Sequence, residues 1–414
     1  MCIRDRVNSG LILFTKNQQF MLTTDSDILS PNTAKINALS TYNFNHLTNP
    51  ISLGTTLGFL DNAGRYSRFF EVARIAREGE PDVLEQSKVV GDLFDKDLRL
   101  ISNSRENSVI LFSKVNDSTI YGYRYFASPD KRILTSWFTW ELSGNIKYHC
   151  MQDDSLYVVI SNGTNKDVIQ RFSIKLEDDS HTVTDDKQTT SLLDDDLFRI
   201  HLDNSAIVAS TALTYNATTN KTTFTLPTGF NYTSGQLAVY VVPTANDDTF
   251  QGMTANASLS GTTVSLDGNW KTYVDTSGAT QTPANNLVLG YQFDMEIELP
   301  TIHNIKVVGE KYRADTQGSL IIHRAKLNLG DSGLYETTLK RTGKADYTEL
   351  IEPVIADAYS ANQIALTKES TYTIPIYERN TNVTLTIKST HPSPARLYSM
   401  TWEGDYTNKF YQRV

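Results

Sequence analysis

The feature that most constrains this chain is the shortness of its apolar runs. Aromatic and β-branched residues occur in runs of a few residues, and Asn, Asp, Ser, Thr and Gly separate one run from the next. Side chains of the first kind fit a pleated surface, and the separating residues favour tight turns. With 21 Tyr and 17 Phe among 414 residues, the sequence predicts a mainly β protein of two or three domains.

The clearest pattern is an antiparallel meander between residues 98 and 140. Four strands are predicted, followed by a second unit that begins with two more strands on either side of an Asn162-Gly163 turn: 98–102, 109–113, 119–126 and 133–140, then 156–161 and 168–176. Four strands in about 40 residues is the size of one β-propeller blade. Alternation places Tyr121, Tyr123 and Tyr125 on one face of their strand.

Changes in composition divide the chain into three parts. Residues 1–197 are predicted to form a partial β-propeller-like domain, 198–286 a small inserted β-domain, and 287–414 a C-terminal β-rich domain. Hairpins are expected near Gly330–Gly333 and Arg379-Asn380. Residues 71–78 are one of the few segments that look helical.

The first six residues, Met1 to Arg6, resemble a translated sequencing-adapter scar. We therefore expect Cys2 to be foreign and the natural N-terminal part to be missing. No apolar run reaches the length of about 18 residues that a membrane-spanning helix needs. Cys2 and Cys150 make no disulfide framework, which fits assembly in a reducing cytoplasm.

The charge balance argues against a protein that grips nucleic acid. The formal net charge is −9 and the sequence pI is about 5.3, whereas neutralising phosphates needs clustered Lys and Arg. An acidic wall would still let DNA slide past without binding it.

No catalytic, cofactor or metal site is predicted. Gly330-Asp331-Ser332-Gly333 resembles the nucleophile loop of trypsin-like proteases, and His149-Cys150 resembles their histidine motif. Leu334 replaces the glycine that the oxyanion hole would require, so a structural turn is the preferred interpretation. The clustered aspartates lack calcium-loop spacing, and the histidines lack zinc-ligand spacing. The aspartate groups are 153–154, 178–179, 185–186 and 194–196.

Three tryptophans are candidate subunit or domain contacts: Trp137, Trp140 and Trp402. Trp137 and Trp140 are three residues apart, which places them on opposite faces of one strand. One of the two is expected in the core and the other at a contact.

Several segments, taken in order, resemble the tail tubular protein B, or tail nozzle, family of podoviruses, the short-tailed bacteriophages. The matching segments are Asn17-Gln18-Gln19-Phe20, Leu29-Ser30-Pro31 through Ile36, Gly54 through Phe59, Ser67 through Glu71, Ser136 through Trp140, Gln317 through Arg324, and Trp402 through Tyr406. Family members are considerably longer than this chain, which agrees with the expected truncation.

The resemblance implies a structural subunit of the virion tail, assembled in the bacterial cytoplasm, and no enzyme. It implies a homohexameric ring below the tail adaptor protein, which conducts viral DNA without sequence-specific binding and helps attach the tail fibres. The alternative is a β-propeller adhesin or depolymerase that binds host glycan, with Tyr121, Tyr123 and Tyr125 stacked on sugars. A third possibility is another β-rich virion protein.

Overall fold

The chain folds into two compact units, Met1–Asp178 and Asp179–Val414. The computed structural model describes residues 2–7, 10–24, 28, 30–54, 56–62, 64–74, 81–94, 96–128, 131–161, 167–174, 182–184, 197–199, 201–227, 237–241, 254–255, 257–274, 277–282, 285–308, 311–330, 332–351, 369–391 and 394–408. Described residues are mainly β, as predicted, with short 3-10 helices at Ser87–Val90, Ser210–Ala212 and Asn380–Asn382. None of the described helices is long and apolar enough to cross a membrane.

The described strands of unit 1 form three antiparallel sheets, and in each one the neighbouring strands follow chain order. The first sheet contains β1 (Cys2–Val7), β2 (Gly10–Phe14), β3 (Gln19–Thr24) and β4 (Ala34–Ser40). The second contains β5 (Ile51–Ser52), β6 (Leu57–Asp61), β7 (Arg68–Arg74) and β8 (Pro81–Glu85). The third contains β9 (Leu100–Ser104), β10 (Val109–Ser113), β11 (Asp117–Ser128), β12 (Lys131–Gln152), β13 (Ser155–Ser161) and β14 (Asp167–Ser173).

The two central strands of the second sheet, β6 and β7, are buried on both faces. Phe59 and Phe70 join a core shared with Ile12 and Phe14 of the first sheet. Their sequence neighbours, which point to the opposite face, join a core shared with the third sheet; they are Leu60 and Phe69. The three sheets therefore stack in their order along the chain, with the second sheet between the first and the third.

The third sheet curls around a core of its own. β12 has 22 residues and pairs first with β11 and then with β13. Its register with β13 shifts between Ile146 and Tyr148, and such bulges bend a strand. β9 contacts β12 across the curl, and residues of β10 to β13 share one apolar cluster. Gly122 fits this packing because a Cβ there would lie 2.1 Å from the Phe138 ring.

Two sequence predictions change in unit 1. Residues 71–74 of the helical-looking segment 71–78 belong to strand β7, and residues 75–80 lie outside the described residues. Because β7 is buried on both faces, its apolar residues do not alternate, and this removed the period-2 signal of a strand. The two strands predicted to start a second blade, β13 and β14, belong to the same sheet as β9 to β12.

The first part of unit 2 is built from strands β15 to β26. They are β15 (Thr182–Thr184), β16 (Leu197–Arg199), β17 (Asp203–Ala209), β18 (Thr214–Asn216), β19 (Lys221–Thr225), β20 (Leu237–Val241), β21 (Thr254–Ala255), β22 (Ala257–Ser260), β23 (Thr263–Asp267), β24 (Tyr273–Val274), β25 (Thr280–Gln281) and β26 (Asn285–Tyr291). The sheets β17-β26-β20-β21 and β18-β19-β23-β22 share one core. β26 continues to Tyr291, beyond the domain limit predicted at 286.

The second part of unit 2 is also a two-sheet sandwich. Its strands are β27 (Met295–Glu298), β28 (Ile305–Val308), β29 (Lys311–Ala314), β30 (Ser319–Leu329), β31 (Tyr335–Arg341), β32 (Tyr347–Ile351), β33 (Ser370–Arg379), β34 (Val383–Ser389) and β35 (Leu397–Thr407). The sheets β27-β34-β31-β32 and β33-β30-β35 enclose the largest apolar cluster of this part, while β28 and β29 pair only with each other among the described strands.

Both hairpins predicted in this part are wrong. β30 and β31, on either side of Gly330–Gly333, belong to different sheets, and so do β33 and β34, on either side of Asn380. The chain crosses from one sheet to the other at these two corners, and hydrogen bonds of buried polar side chains stabilise the corners. Ser332 Oγ accepts a hydrogen bond from the Arg396 amide at 3.1 Å, and Asn380 Nδ2 donates to the Ile302 carbonyl at 2.7 Å.

The Asn380 corner gives a stability prediction. Asn380→Ala removes the donor to the Ile302 carbonyl from a site only 6% exposed. We expect a loss of about 1–3 kcal/mol, the cost of leaving a buried polar group unpaired. Urea unfolding measures it, with exposed Thr381→Ala as the matched control. Equal stability of the two variants would contradict the assigned role of Asn380.

Candidate interaction surfaces

The residues that resembled a protease site lie in different units and make structural bonds. His149 is 2% exposed, and its Nδ1 lies 2.7 Å from Ser102 Oγ. His149 Nε2 has no hydrogen-bond partner within the described part of the chain. Burial lowers the pKa of His149 to about 4, so the imidazole is neutral near pH 7. Ser332 Oγ holds the backbone of Arg396.

One of the four aspartate groups, 153–154, lies within the described residues, which contain no group of three or more His, Cys, Asp or Glu side chains placed to hold a metal ion. Asp154 accepts a hydrogen bond from Asn107 Nδ2 at 2.9 Å, in the turn between β12 and β13. The other three groups, 178–179, 185–186 and 194–196, lie outside the described residues.

The three tyrosines considered as sugar platforms are core residues. Tyr121, Tyr123 and Tyr125 share one face, as predicted, and all three are 8% exposed or less. Tyr123 packs on Trp137 with a centroid distance of 4.4 Å. A buried ring has no free face for a pyranose, so this part of the glycan-binding hypothesis is wrong.

Each candidate tryptophan packs on a core of its own unit. Trp137 joins the cluster between the second and third sheets, whereas Trp140 joins the core of the curled third sheet, so the two do occupy opposite faces. Trp402 packs on the core of the C-terminal sandwich. All three tryptophans are half-buried. A role of any of the three in subunit contacts stays a prediction.

An exposed aromatic surface lies on the outer face of β33-β30-β35. The register between β30 and β33 shifts after Ile322, and Tyr377 has a φ of 46°, which is rare for a bulky residue. Tyr377 is 68% exposed, and its ring stacks on the His323 ring with a centroid distance of 5.7 Å. His323 Nε2 lies 3.3 Å from Asp405 Oδ2. We call this set the Tyr377 surface.

A second exposed surface lies on the ribbon formed by β28 and β29. Ile305 and Val307, two residues apart on β28, are 62% and 66% exposed. Ala314, directly opposite Ile305 on β29, is exposed as well. Residues directly opposite in an antiparallel pair share a face. The ribbon therefore presents an uncovered apolar face.

The other face of the ribbon is fixed to β35 by a polar network. Lys306 Nζ lies 2.5 Å from Asp315 Oδ2 and 2.9 Å from Asn408 Oδ1. Asp315 also accepts hydrogen bonds from the Tyr406 hydroxyl and from the amides of Gln317 and Gly318. The bonds from Lys306 and Tyr406 hold the pKa of Asp315 well below its ordinary range.

Sequence reasoning missed both surfaces. Alternation in Ile305-Lys306-Val307 signals a half-covered strand, but it does not tell which side is covered. Tyr377 is distinguished by its positive φ angle, which the residue types in that segment do not predict.

These sheets and exposed surfaces define a mainly β protein built of stacked meanders and sandwiches. The family model described as bacteriophage nozzle protein matches residues 6–413. The chain therefore belongs to the bacteriophage nozzle protein family, in agreement with the resemblance found in its motifs, and its place is the virion tail.

The other comparisons do not bear on the family or the function of the chain. No curated protein matches the chain. Among solved structures, the luciferin-regenerating enzyme is 12% identical with a TM-score of 0.26, over 64% of this chain and 76% of that chain. The exo-beta-1,3-galactanase from Phanerochaete chrysosporium is 11% identical with a TM-score of 0.22, over 94% and 100%. The beta-fructofuranosidase from Schwanniomyces occidentalis is 10% identical with a TM-score of 0.18, over 98% and 97%.

His149 gives unit 1 a pH-dependent stability. Its folded-state pKa of about 4 is below the ordinary 6.5, so the unfolded chain binds the proton first as pH falls. The contribution of neutral His149 to the free energy of unfolding is fully present above pH 6.5 and is lost as pH falls toward 4. The loss is about 3 kcal/mol, at about 1.4 kcal/mol per unit of pKa.

Urea unfolding at pH 7.5 and 4.5 tests this in the wild type and in His149→Gln, which cannot titrate. The wild type should lose more stability than the variant between the two pH values. Comparing the two chains cancels the contribution of His391, whose pKa burial also lowers to about 4. Equal losses would contradict the role given to His149.

Proposed function

We propose that this protein is a subunit of a homohexameric ring in a short phage tail, through which viral DNA leaves the virion. The observation that carries the proposal is the match to the nozzle family over residues 6–413. In this proposal the protein is a structural part and not an enzyme.

The sheet architecture supports a stiff wall. In unit 1 three meanders stack face to face, and every described strand of each sheet pairs with its chain neighbour. Consecutive meanders packed in this way are what a β-propeller requires, and we propose a propeller-like arrangement for this unit. Filled seams between sheets resist deformation because close-packed interiors have low compressibility.

Charge supports passage of DNA rather than retention. Each chain has a net charge of −9, so a ring of six chains is strongly acidic. Such a ring repels DNA phosphates whose charge is not neutralised by bound cations. DNA would then move through the channel without sequence-specific binding.

The proposed partners are the tail adaptor protein and the tail fibres. The Tyr377 surface supports a docking role, since an exposed aromatic side chain in a strained backbone conformation is typical of a functional position. Such rings act as anchors in protein interfaces more often than most residue types.

Native mass spectrometry of the purified protein tests the proposal. A dominant hexamer, together with ring-shaped particles that have a central opening in electron micrographs, is the expected result. A monomer or a trimer at micromolar concentration would contradict the ring. Depolymerase activity on bacterial polysaccharide would contradict the purely structural role.

A further inference from the structure

The third sheet of unit 1 closes on itself through side chains. β9 and β12 face each other across the curl, but within the described part of the chain no backbone hydrogen bond joins them. Ser102 Oγ on β9 lies 2.7 Å from His149 Nδ1 on β12. Between the two adjoining turns, Asn107 Nδ2 donates to Asp154 Oδ1 at 2.9 Å. We call these two hydrogen bonds the closing contacts.

The strands beyond the closing contacts form a flap, which we define as β12 from Asn145 onward, β13 and β14. Backbone ladders join these strands to one another. The flap covers apolar residues of β10 and β11 with buried side chains of its own, which are Ile146, Leu156, Val158 and Ile160. It is therefore a small layer that lies over the rest of its sheet.

The flap joins the rest of the sheet at a discontinuity in β12. Glu141 still pairs with Thr119 of β11, whereas from Asn145 onward the strand pairs with β13, and Ile146 retains a partner on β11 as well. Among the described pairings, residues 142–144 have no partner on either strand, and the register with β13 shifts after Ile146. Irregularities of this kind interrupt a ladder and let a strand bend.

The surroundings of His149 contain no charge to balance a proton. Residues directly opposite in an antiparallel pair share a face. By this register His149 shares its face with Val158 and Gln170 of the flap, and Ser102 shares its face with Leu111 and Gly122. None of these residues is titratable.

The charged residues of the same strands lie elsewhere. β9, β10 and β13 contain none. Asp117 of β11 lies 3.8 Å from Lys114, and the other charged residues whose side chains are described on β11, β12 and β14 are exposed: Arg124, Glu141, Lys147, Asp167 and Arg171.

A protonated His149 does not fit the closed flap. In the neutral ring Nδ1 is bonded to Ser102, and Nε2 has no partner among the described residues. In the charged ring both nitrogens are donors, so Nε2 needs an acceptor as well. Because a buried cation without a partner has a large desolvation cost, the charged ring has to reach water. Burial is also the cause of the lowered pKa of His149.

The side of His149 that faces β9 is the weaker boundary. On the other side, β12 and β13 are joined by a backbone ladder from Asn145 to Gln152. β9 itself is fixed to the second sheet, since Asn103 Nδ2 and Arg105 Nε donate to the Ser52 carbonyl at 3.0 and 3.2 Å. The flap is therefore the part that can move.

We propose that the flap is an acid-released device. Protonation of His149 breaks its closing contact with Ser102, and the flap swings away from β9 about residues 142–144 while the first two sheets stay folded. The device depends on the fold of unit 1 and not on the proposed hexamer, so the failure of either proposal leaves the other standing.

Hydrogen exchange of backbone amides, corrected for the intrinsic exchange rate and followed at low urea concentrations, tests the device. Between pH 7.5 and 4.5 the protection of amides in β13 should fall by up to about 80-fold, the value for a pKa that rises from about 4 to 6.5 on opening. At pH 4.5 their exchange should depend little on urea, because a local opening exposes little surface.

Amides in β6 and β7 are the internal reference. At pH 4.5 they should stay better protected than those in β13 and should show the steep urea dependence of global unfolding. Equal protection and equal urea dependence in β7 and β13 would mean that unit 1 unfolds as a whole, and this result would overturn the proposal. Protection of β13 that does not change with pH would overturn it too.

Two histidine variants identify the group that titrates. His149→Gln should abolish the pH dependence of protection in β13. The matched control is His46→Gln, which removes an exposed histidine of the same unit and should keep the wild-type dependence. A wild-type dependence in His149→Gln, or its loss in His46→Gln, would overturn the role of His149.

A third variant tests the closure without altering a histidine. Asn107→Ala removes the second closing contact and should lower the protection of β13 about fivefold or more at both pH values, the effect of one lost hydrogen bond. The ratio of protection between the two pH values should stay as in the wild type. Unchanged protection in this variant would contradict the closure of the flap at β9.

Discussion

Two-sided burial of β6 and β7, the central strands of the second sheet, is the constraint on which the rest of unit 1 depends. Phe69 and Phe70 are adjacent on β7, point to opposite faces and are fully buried in different cores. A change of register by one residue would exchange the two rings between seams that are already filled. The order of the three sheets is therefore fixed by the packing of one strand.

Two-sided burial also removes the Glu71 side chain on β7 from solvent. Glu71 is 1% exposed and accepts hydrogen bonds from Thr56 Oγ1 and from Gln86 Nε2, the latter at 3.0 Å. The hydroxyl of Tyr123, from the third sheet, donates to Gln86 Oε1 at 3.2 Å. Because a buried polar group is costly when unpaired, these bonds tie the second sheet to the third in one arrangement.

Local alternation allowed the sequence to predict which residues share a face, but not what covers that face. Tyr121, Tyr123 and Tyr125 were placed together correctly, yet their burial depends on Phe69 and Phe94, which lie far away in the chain. The corners at Gly330–Gly333 and Asn380 have ordinary turn residues. Whether the next strand stays in the sheet or crosses to the opposite one is decided by tertiary partners such as Arg396 and Ile302.

The contrast between two neighbouring strands explains why the ribbon differs from an ordinary sheet edge. β27 lies at the edge of its sheet and exposes Glu296 and Glu298 on either side of Ile297. Charges of this kind protect an edge against unwanted pairing. β28 has the opposite arrangement, with its charge turned inward to Asp315 and its apolar residues turned to water.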